Sequence, residues 1–182
     1  MGNIGRTQGL DAVVEKFQLD PDVERLGAQL VITGGGVSAE SVRSRIQTDR
    51  VVMRGVVSDS ELDRIMGRSA LALVSQRPRL KEFNLPSKLM NYMAHGIPVI
   101  ASVDTDSEAA RIVRDSGAGW VTDPDNPSAV ASKAAEALNS PELLATRSKL
   151  GFDFAERHFS ATGAARSING VLKTVIRSEA AR

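Results

Sequence analysis

The sequence predicts an α/β fold in which a parallel sheet is covered by helices on both faces. Short β-branched segments alternate with segments of helical periodicity along nearly the whole chain of 182 residues. Residues 70–75 are apolar at most positions without alternation, which is typical of a strand buried on both faces. The length suits one domain with a substantial core, and we interpret residues 1–182 as a single domain.

The first half of the chain begins in what resembles the end of a strand. Gly2 and Gly5 are typical of the loop that follows a strand, so we expect the first strand to be truncated. Leu10, Val13, Val14 and Phe17 have the spacing of one helix face. The predicted elements are helix 11–17, strand 28–33 ending at three glycines, helix 38–48, strand 51–53, and a helix from Ser58 or Ser60 through Gly67.

The second half continues the alternation. Its predicted elements are strand 70–75, a short helix from Ser87 that Gly96 and Pro98 stop, strand 99–101, helix 104–116 that Gly117 and Gly119 end, strand 120–121, and helices 128–138, 141–158 and 161–178. In parallel α/β sheets, ligands bind outside the carboxyl ends of the strands. We therefore expect the loops over 2–9, 34–36, 55–57, 75–88 and 101–106 to share one ligand-binding edge.

Composition excludes several classes of function. The net charge is +1, from 23 basic and 22 acidic residues, which argues against a nucleic-acid binder that works by bulk electrostatics. The chain has no cysteine and two histidines, so disulfides and zinc sites are not expected. No apolar run approaches the roughly 20 residues of a membrane span, and the N-terminus does not resemble a signal peptide. We expect a cytoplasmic protein.

The start of the helix at Ser87 has the features of an anion site. Ser87 can cap the helix, and the first-turn N–H groups of Lys88, Leu89 and Met90 lack intrahelical partners. The helix dipole adds roughly half a positive charge there, and Lys88 adds a full one. A phosphate group fits such a site. The alternative is an ordinary capped helix with a solvent-facing lysine, and local features do not separate the two.

A glycine pattern in the first half favours a tight turn over a cofactor site. Gly34-x-Gly36-x-x-Ala39 nearly fits the dinucleotide fingerprint. However, a helix already precedes it, and Arg54 stands where an acidic residue would end the next strand. We interpret these glycines as allowing close backbone approach, with an NADP site as the alternative.

Polar residues near the predicted edge have two readings each. Glu82 could accept hydrogen bonds from sugar hydroxyls or be a solvated loop residue. Asn91 is a mediocre helix former and could bond to ribose hydroxyls. For Arg77 and Arg79 we favour a solvated loop over a part of the anion site.

Taken together, the motifs resemble those of group 1 glycosyltransferases, in particular the branch that includes enzymes of colanic-acid and other exopolysaccharide biosynthesis. The motifs are Gly2-Asn3-Ile4-Gly5, Gln8-Gly9-Leu10, Gly34-Gly35-Gly36, Pro86-Ser87-Lys88 and Gly96-Ile97-Pro98-Val99-Ile100-Ala101, in that order. The resemblance implies a GT-B fold, with two Rossmann-like three-layer α/β/α domains and the active site between them. This chain resembles the C-terminal, donor-binding half, with the N-terminal acceptor domain absent and 161–178 as a terminal crossover helix.

The resemblance also implies site residues. Lys88 and Glu82 are the expected catalytic residues. The residues expected to bind the donor are Gly5 and Arg6 in the first loop, Gly55, Val56 and Val57 near the base, Pro86, Ser87, Lys88 and Leu89 at the diphosphate, and Asn91 at the ribose. Asn3 and Gln8 stand where many relatives have an arginine and a lysine, and Arg6 is the candidate to compensate.

The function implied by the resemblance is transfer of a sugar from a UDP- or GDP-sugar to an acceptor hydroxyl, with retention and without a metal, in polysaccharide or glycoconjugate synthesis. The expected partners are the nucleotide-sugar donor and the chain's own N-terminal domain, with no nucleic acid. A membrane-bound lipid-linked acceptor would place the protein at the inner membrane surface. We expect the isolated domain to bind donor weakly and to be inactive. The alternatives are an NADP-type oxidoreductase module, a non-catalytic Rossmann-like interaction domain and a GT-B epimerase.

Overall fold

The computed structural model describes residues 2–79 and 87–159. Its strands are β1 Gly2–Asn3, β2 Leu30–Gly35, β3 Val51–Arg54, β4 Ala72–Ser75, β5 Val99–Ser102 and β6 Gly119–Thr122. Its helices are α1 Leu10–Phe17, α2 Pro21–Arg25, α3 Ala39–Arg43, α4 Asp59–Gly67, α5 Ser87–Ala94, α6 Glu108–Ser116, α7 Ser128–Leu138 and α8 Pro141–His158, with a 3-10 turn at Arg6–Gln8 before α1. The helix predicted over 161–178 lies outside the described residues.

The strands pair in parallel, which confirms the predicted Rossmann-like α/β class. Among the described residues the strand ladders form two groups of three, in the orders β1-β2-β3 and β4-β5-β6. Because β1 has two residues, paired with Gly34 and Gly35 of β2, it offers little backbone for a second ladder towards β4. The groups are joined instead by loop contacts, such as the Arg77 N–H that donates to the Thr7 carbonyl at 2.7 Å.

Two apolar clusters form the layers of the fold. One packs α1, α2, α3 and α7 on one face, and its members include Ile32 and Ile100 of the strands. The other packs α5, α6 and α8 against the second strand group, and its members include Val99 and Ala101. Successive residues of β5 therefore point into opposite clusters, as the two-residue period of a strand requires. Helices on both faces bury the sheet and leave the carboxyl ends of its strands as an open edge.

The structure confirms the predicted helix start at Ser58 and places the start of the helix predicted over 104–116 later, at Glu108. The side chain of Asp20 accepts from the N–H groups of Asp22 and Val23 at the start of α2. Ser58 and Ser107 cap α4 and α6 in the same way. Gly119, predicted to end a helix, instead lies in β6, where a Cβ would overlap the carbonyl of Val99 across the ladder.

The third helix is much shorter than predicted, and a buried glutamine explains this. Helix 38–48 was expected, but α3 ends at Arg43. The fully buried Gln18 donates to the Arg45 carbonyl at 2.7 Å and accepts from the Gln47 N–H at 2.8 Å. Backbone groups that would continue the helix are thus bonded to a side chain of α1, which is a tertiary contact that helical periodicity does not reveal.

The helix α5 is fixed by packing against the second apolar cluster and by contacts with α8. Leu89 and Met93 are fully buried in the second cluster. At its far end the Ser148 hydroxyl of α8 donates to the Gly96 carbonyl at 2.6 Å. Gly151 lets α8 approach Ala118 closely, because a Cβ on Gly151 would lie 3.0 Å from the Cβ of Ala118. The start of α5 therefore has a defined position at the open edge.

No helix within 2–79 or 87–159 is both long enough and apolar enough to cross a membrane.

Candidate functional site

Lys88, at the start of α5, lies directly against the first strand. A Cβ placed on Gly2 would overlap the Lys88 side chain and would be 2.6 Å from its Nζ. Gly2 in turn pairs with Gly34 of β2. The ammonium group thus lies on the same side of the sheet as the glycine-rich loops. Lys88 is half-buried, its pKa is lowered by that burial, and it forms no ion pair with any described residue.

The loop after β1 directs its carbonyl groups towards the end of β4. The carbonyls of three successive residues accept hydrogen bonds from the end of β4: Arg6 from Arg77 Nε at 2.7 Å, Thr7 from the Arg77 N–H at 2.7 Å and Gln8 from Ser75 Oγ at 2.6 Å. The N–H groups of Gly5, Arg6 and Thr7 have no acceptor within the described part of the chain. Successive unpaired N–H groups of this kind form anion-binding concavities in proteins.

Arg77 is not the solvated loop residue that the sequence suggested. Both Nη2 contacts with the Asp11 carboxylate are 3.0 Å long, and Nε donates to Arg6. Arg79 is solvated as predicted, since its side chain is 89% exposed, although its backbone N–H donates to Asp104 Oδ2 at 2.9 Å and its φ is 62°. Arg77 therefore organises the edge through protein contacts, and Arg79 does so only through its backbone. The sequence around Arg77 shows no such partner, because Asp11 is 66 residues away.

The glycines of the edge fall into two groups. Gly34 and Gly36 have φ values of 124° and 145°, and a Cβ on either would collide with the backbone of β1 or of Ile4. This agrees with the prediction that the glycines of that loop allow close approach. Gly5 and Gly55 have neither a positive φ nor a crowding neighbour. Among the residues that the structure describes, there is thus no steric reason for glycine at these two positions.

The three residues expected near the nucleobase, Gly55, Val56 and Val57, differ in their exposure. Gly55 is exposed, and its carbonyl accepts from the Gly34 N–H at 3.0 Å. Val56 is 75% exposed, and its Cγ2 lies close to the backbone of Gly35. Val57 is buried, so its side chain belongs to the protein interior and only its backbone can meet a ligand.

The residues expected on α5 also divide. Ser87 is the first helical residue and is exposed. The side chain of Leu89 is fully buried, so the expected role at a diphosphate narrows to its backbone N–H. Asn91 is exposed one turn further on, while its carbonyl accepts from the His95 N–H at 3.1 Å. Glu82 and Pro86 lie outside the described residues.

Arg6, on the loop after β1, remains a second candidate cation of this edge. Its carbonyl is held by Arg77, and its side chain is exposed and forms no ion pair with another described residue. The edge thus brings together two cationic side chains, a row of unpaired N–H groups and a helix start. Such a set can stabilise negative charge on phosphate oxygens. Across 2–79 and 87–159, no three histidine or carboxylate side chains are grouped closely enough to hold a metal ion.

Comparisons with solved structures agree on the fold. The chain superposes on the Anabaena protein HepE, solved in complex with UDP and glucose, with a TM-score of 0.73 and 16% identity, covering 95% of this chain and 46% of that one. It also superposes on the C-terminal domain of the group 1 glycosyl transferase LpcC from Francisella tularensis, with a TM-score of 0.64 and 18% identity, covering 88% of this chain and 84% of that one. These neighbours are GT-B glycosyltransferases.

Sequence comparison identifies the family. The chain is 29% identical over 133 residues to the probable glycosyltransferase WbjE of Pseudomonas aeruginosa, which is 71% of this chain and 32% of that protein. The chain thus spans about a third of the length of this curated relative. The sequence profile described as "Glycosyl transferases group 1" matches residues 1–140. The chain therefore belongs to the group 1 family of glycosyl transferases.

Proposed function

We propose that this chain is the part of a glycosyltransferase that binds the nucleotide-diphospho-sugar donor, a UDP- or GDP-sugar. The observation that carries the proposal is the half-buried Lys88 ammonium, which has no ion pair among the described residues and lies against Gly2. Beside it is the loop whose N–H groups at Gly5, Arg6 and Thr7 are unpaired in the described structure. Burying part of a cation without a counter-ion is costly, and a bound diphosphate would supply that counter-ion.

The chemistry follows from charge. In transfer, the bond between the sugar C1 and the diphosphate oxygen breaks, and a bond from the acceptor oxygen to C1 forms. The leaving diphosphate gains negative charge, which Lys88, Arg6 and the loop N–H groups would stabilise through charge-assisted hydrogen bonds. The acceptor proton passes to a base outside this chain's described residues. Retention of configuration, Glu82 as a second catalytic residue and a reaction without a metal complete the proposal.

The role of the relatives is supporting. HepE was solved with UDP, and the same elements of fold are present here. Because the chain covers 46% of HepE, we propose that an N-terminal domain supplies the acceptor site and that residues 161–178 cross back towards it. Alone, the chain should bind donor but transfer no sugar. A lipid-linked acceptor at a membrane surface and a role in exopolysaccharide synthesis are the biological setting that we propose.

The test is a calorimetric titration of the 182-residue chain with UDP, GDP, ADP and NADPH. We expect UDP or GDP to bind, and Lys88→Ala to weaken binding by about 1.5–3 kcal/mol, since it removes one charge-assisted contact. Lys16→Ala is the matched control. It removes the same charge from an exposed position in the last turn of α1, at the opposite edge of the sheet.

Each alternative has its own result. Tight NADPH binding without UDP or GDP binding would indicate an oxidoreductase module. The absence of all nucleotide binding would indicate a domain that only packs against a partner. Equal UDP affinity in Lys88→Ala and the unaltered chain would remove Lys88 from the site, and product analysis on a full-length protein would separate a transferase from an epimerase.

A further inference from the structure

The side chains of Ser75 and Arg77, at the end of β4 and just after it, donate hydrogen bonds to the loop after β1 rather than point at the open edge. Arg77 Nε and Ser75 Oγ hold the carbonyls of Arg6 and Gln8 at 2.7 and 2.6 Å. The backbone N–H of Arg77 holds the carbonyl between them. Three successive carbonyls are therefore fixed on the β4 side of the loop.

We propose that Arg77 and Ser75 are positioning residues that shape the diphosphate-binding loop by holding its carbonyls away from the ligand. The inference rests on the proposed function. In a tight turn, the N–H and C=O groups of neighbouring residues point in different directions, so fixing the carbonyls inward leaves the N–H groups outward. A carbonyl that rotated outward would place a partial negative charge where a phosphate binds.

The structure argues against a direct ligand role for Arg77. Its guanidinium is already engaged by both oxygens of the Asp11 carboxylate and by the Arg6 carbonyl. Two of the three guanidinium nitrogens, Nε and Nη2, thus already donate to protein oxygens, which holds the side chain against the protein. The pairing also neutralises Asp11, whose negative charge would otherwise lie in the first turn of α1, next to the loop.

Gly9 makes room for the Arg77 side chain that holds the loop. Its φ is 61°, and a Cβ there would be 3.2 Å from Arg77 Cγ. A small residue in left-handed conformation thus lets the arginine stem pass beneath the loop to reach both Arg6 and Asp11.

The experiment measures affinity for UDP and for uridine in four variants of the chain. Arg77→Lys keeps the charge but loses the fork of donors, and Ser75→Ala removes one hydroxyl without changing any charge. Ser69→Ala is the control for Ser75, since the Ser69 hydroxyl also donates to a backbone carbonyl, that of Ile65 at 2.8 Å, but lies just after the end of α4, away from the loop. Arg25→Lys is the control for Arg77, since Arg25 pairs with Asp22 at 3.1 Å far from the loop.

We expect UDP affinity to fall about tenfold in Arg77→Lys and about threefold to tenfold in Ser75→Ala, the loss per hydrogen bond being of this size. Affinity for uridine, which has no phosphate, should change less than twofold. A merely structural role would lower both affinities together. In the free protein, the amide NMR signals of residues 5–9 should shift in both variants and stay unchanged in both controls.

The two proposals fail differently. If the unaltered chain bound neither UDP nor GDP, the proposed function would fail and this inference with it. If the unaltered chain bound UDP and Arg77→Lys bound it equally well, the inference alone would be overturned. Equal losses of UDP and uridine affinity would also overturn it, because they would show general damage rather than a shaped phosphate loop.

Discussion

Two glycine-containing loops meet at the open edge, and they use glycine for different reasons. The end of β2 and the turn after it need glycine to fold, since Gly34 and Gly36 have positive φ and no room for a Cβ beside β1 and Ile4. In the loop after β1, Gly5 has a φ of −92° and a ψ of 167°, which any residue adopts, and the nearest atom to a Cβ would be 3.7 Å away. Gly34 and Gly36 are therefore required by the fold, whereas Gly5 is not, and we propose that Gly5 is glycine to leave room for a ligand.

The largest effect should come from Gly36→Ala. The substitution forces an alanine into a positive φ and drives its Cβ into Asn3 Oδ1 and towards the backbone oxygen and nitrogen of Ile4, which would lie 2.7 and 2.8 Å away. Strain and overpacking together should lower the free energy of unfolding by roughly 2–5 kcal/mol. Urea denaturation measures this loss, and a change below about 0.5 kcal/mol would break the distinction between the loops.

Gly5→Ala should have the opposite profile. Because the backbone at Gly5 suits alanine, the free energy of unfolding should stay constant or rise by roughly 0.4–1 kcal/mol. A methyl group at the ligand face should nevertheless weaken UDP binding about tenfold, or ~1.4 kcal/mol. Calorimetry on the same sample tests both parts, and UDP binding as tight as in the unaltered chain would show that Gly5 does not face the ligand.

The pH dependence of UDP binding should separate the contribution of the Lys88 charge from that of the backbone N–H groups. Burial lowers the pKa of Lys88 below its usual 10.5, so its ammonium should lose a proton at a lower pH than an exposed lysine. UDP affinity should therefore fall as the pH is raised from neutrality towards 10, by at most about tenfold per pH unit for one proton. Lys88→Arg should flatten the profile, because arginine stays charged. An unchanged profile in that variant would assign the pH dependence to another group.

The same shift has a consequence for stability, with the sign opposite to that for binding. A lysine whose folded pKa is lowered carries its burial cost at neutral pH, where it is charged in both states. The cost is relieved as the pH rises through the lowered pKa, because the unfolded chain then holds more protons than the folded one. Lys88→Met should therefore be more stable than the unaltered chain at pH 7, and the difference should shrink above that pKa. A variant that is less stable at pH 7 would contradict this.

The smallest effect should come from Gly67→Ala, the matched control for Gly5→Ala. Gly67 ends α4, has no positive φ, and has nothing within 4 Å of a Cβ. Alanine there should add roughly 0.5–1 kcal/mol to the free energy of unfolding. UDP affinity should not change, since only Gly5 lies at the edge. If Gly5→Ala and Gly67→Ala changed UDP affinity equally, the effect of Gly5→Ala would not come from its position at the edge.

Much of the fold could be predicted from the sequence, because its signals are local. Alternating helix and strand patterns predict parallel pairing, and residues such as Asp20 and Ser107 cap the helices that follow them within three residues. Parallel strands also imply a shared carboxyl edge, so the approach of Lys88 to Gly2 could be anticipated without coordinates.

The errors arose where distant residues meet. Helix 38–48 is cut short because Gln18 bonds to backbone 27 and 29 residues away. Gly119 was assigned to a helix end, but the carbonyl of Val99 across the ladder requires glycine there.

By itself, the sequence determined the α/β class, the order of elements and the edge at which a ligand site can form, because these depend on periodicity and on chain direction. Only the tertiary structure decided that Arg77 is bonded to Asp11 and Arg6 while Lys88 makes no ion pair with any described residue. The physical reason is that Arg77 and Lys88 carry the same charge, so the sequence does not distinguish them as ligands of an anion. Which of them is available to a phosphate depends on the partners that folding brings within hydrogen-bond distance.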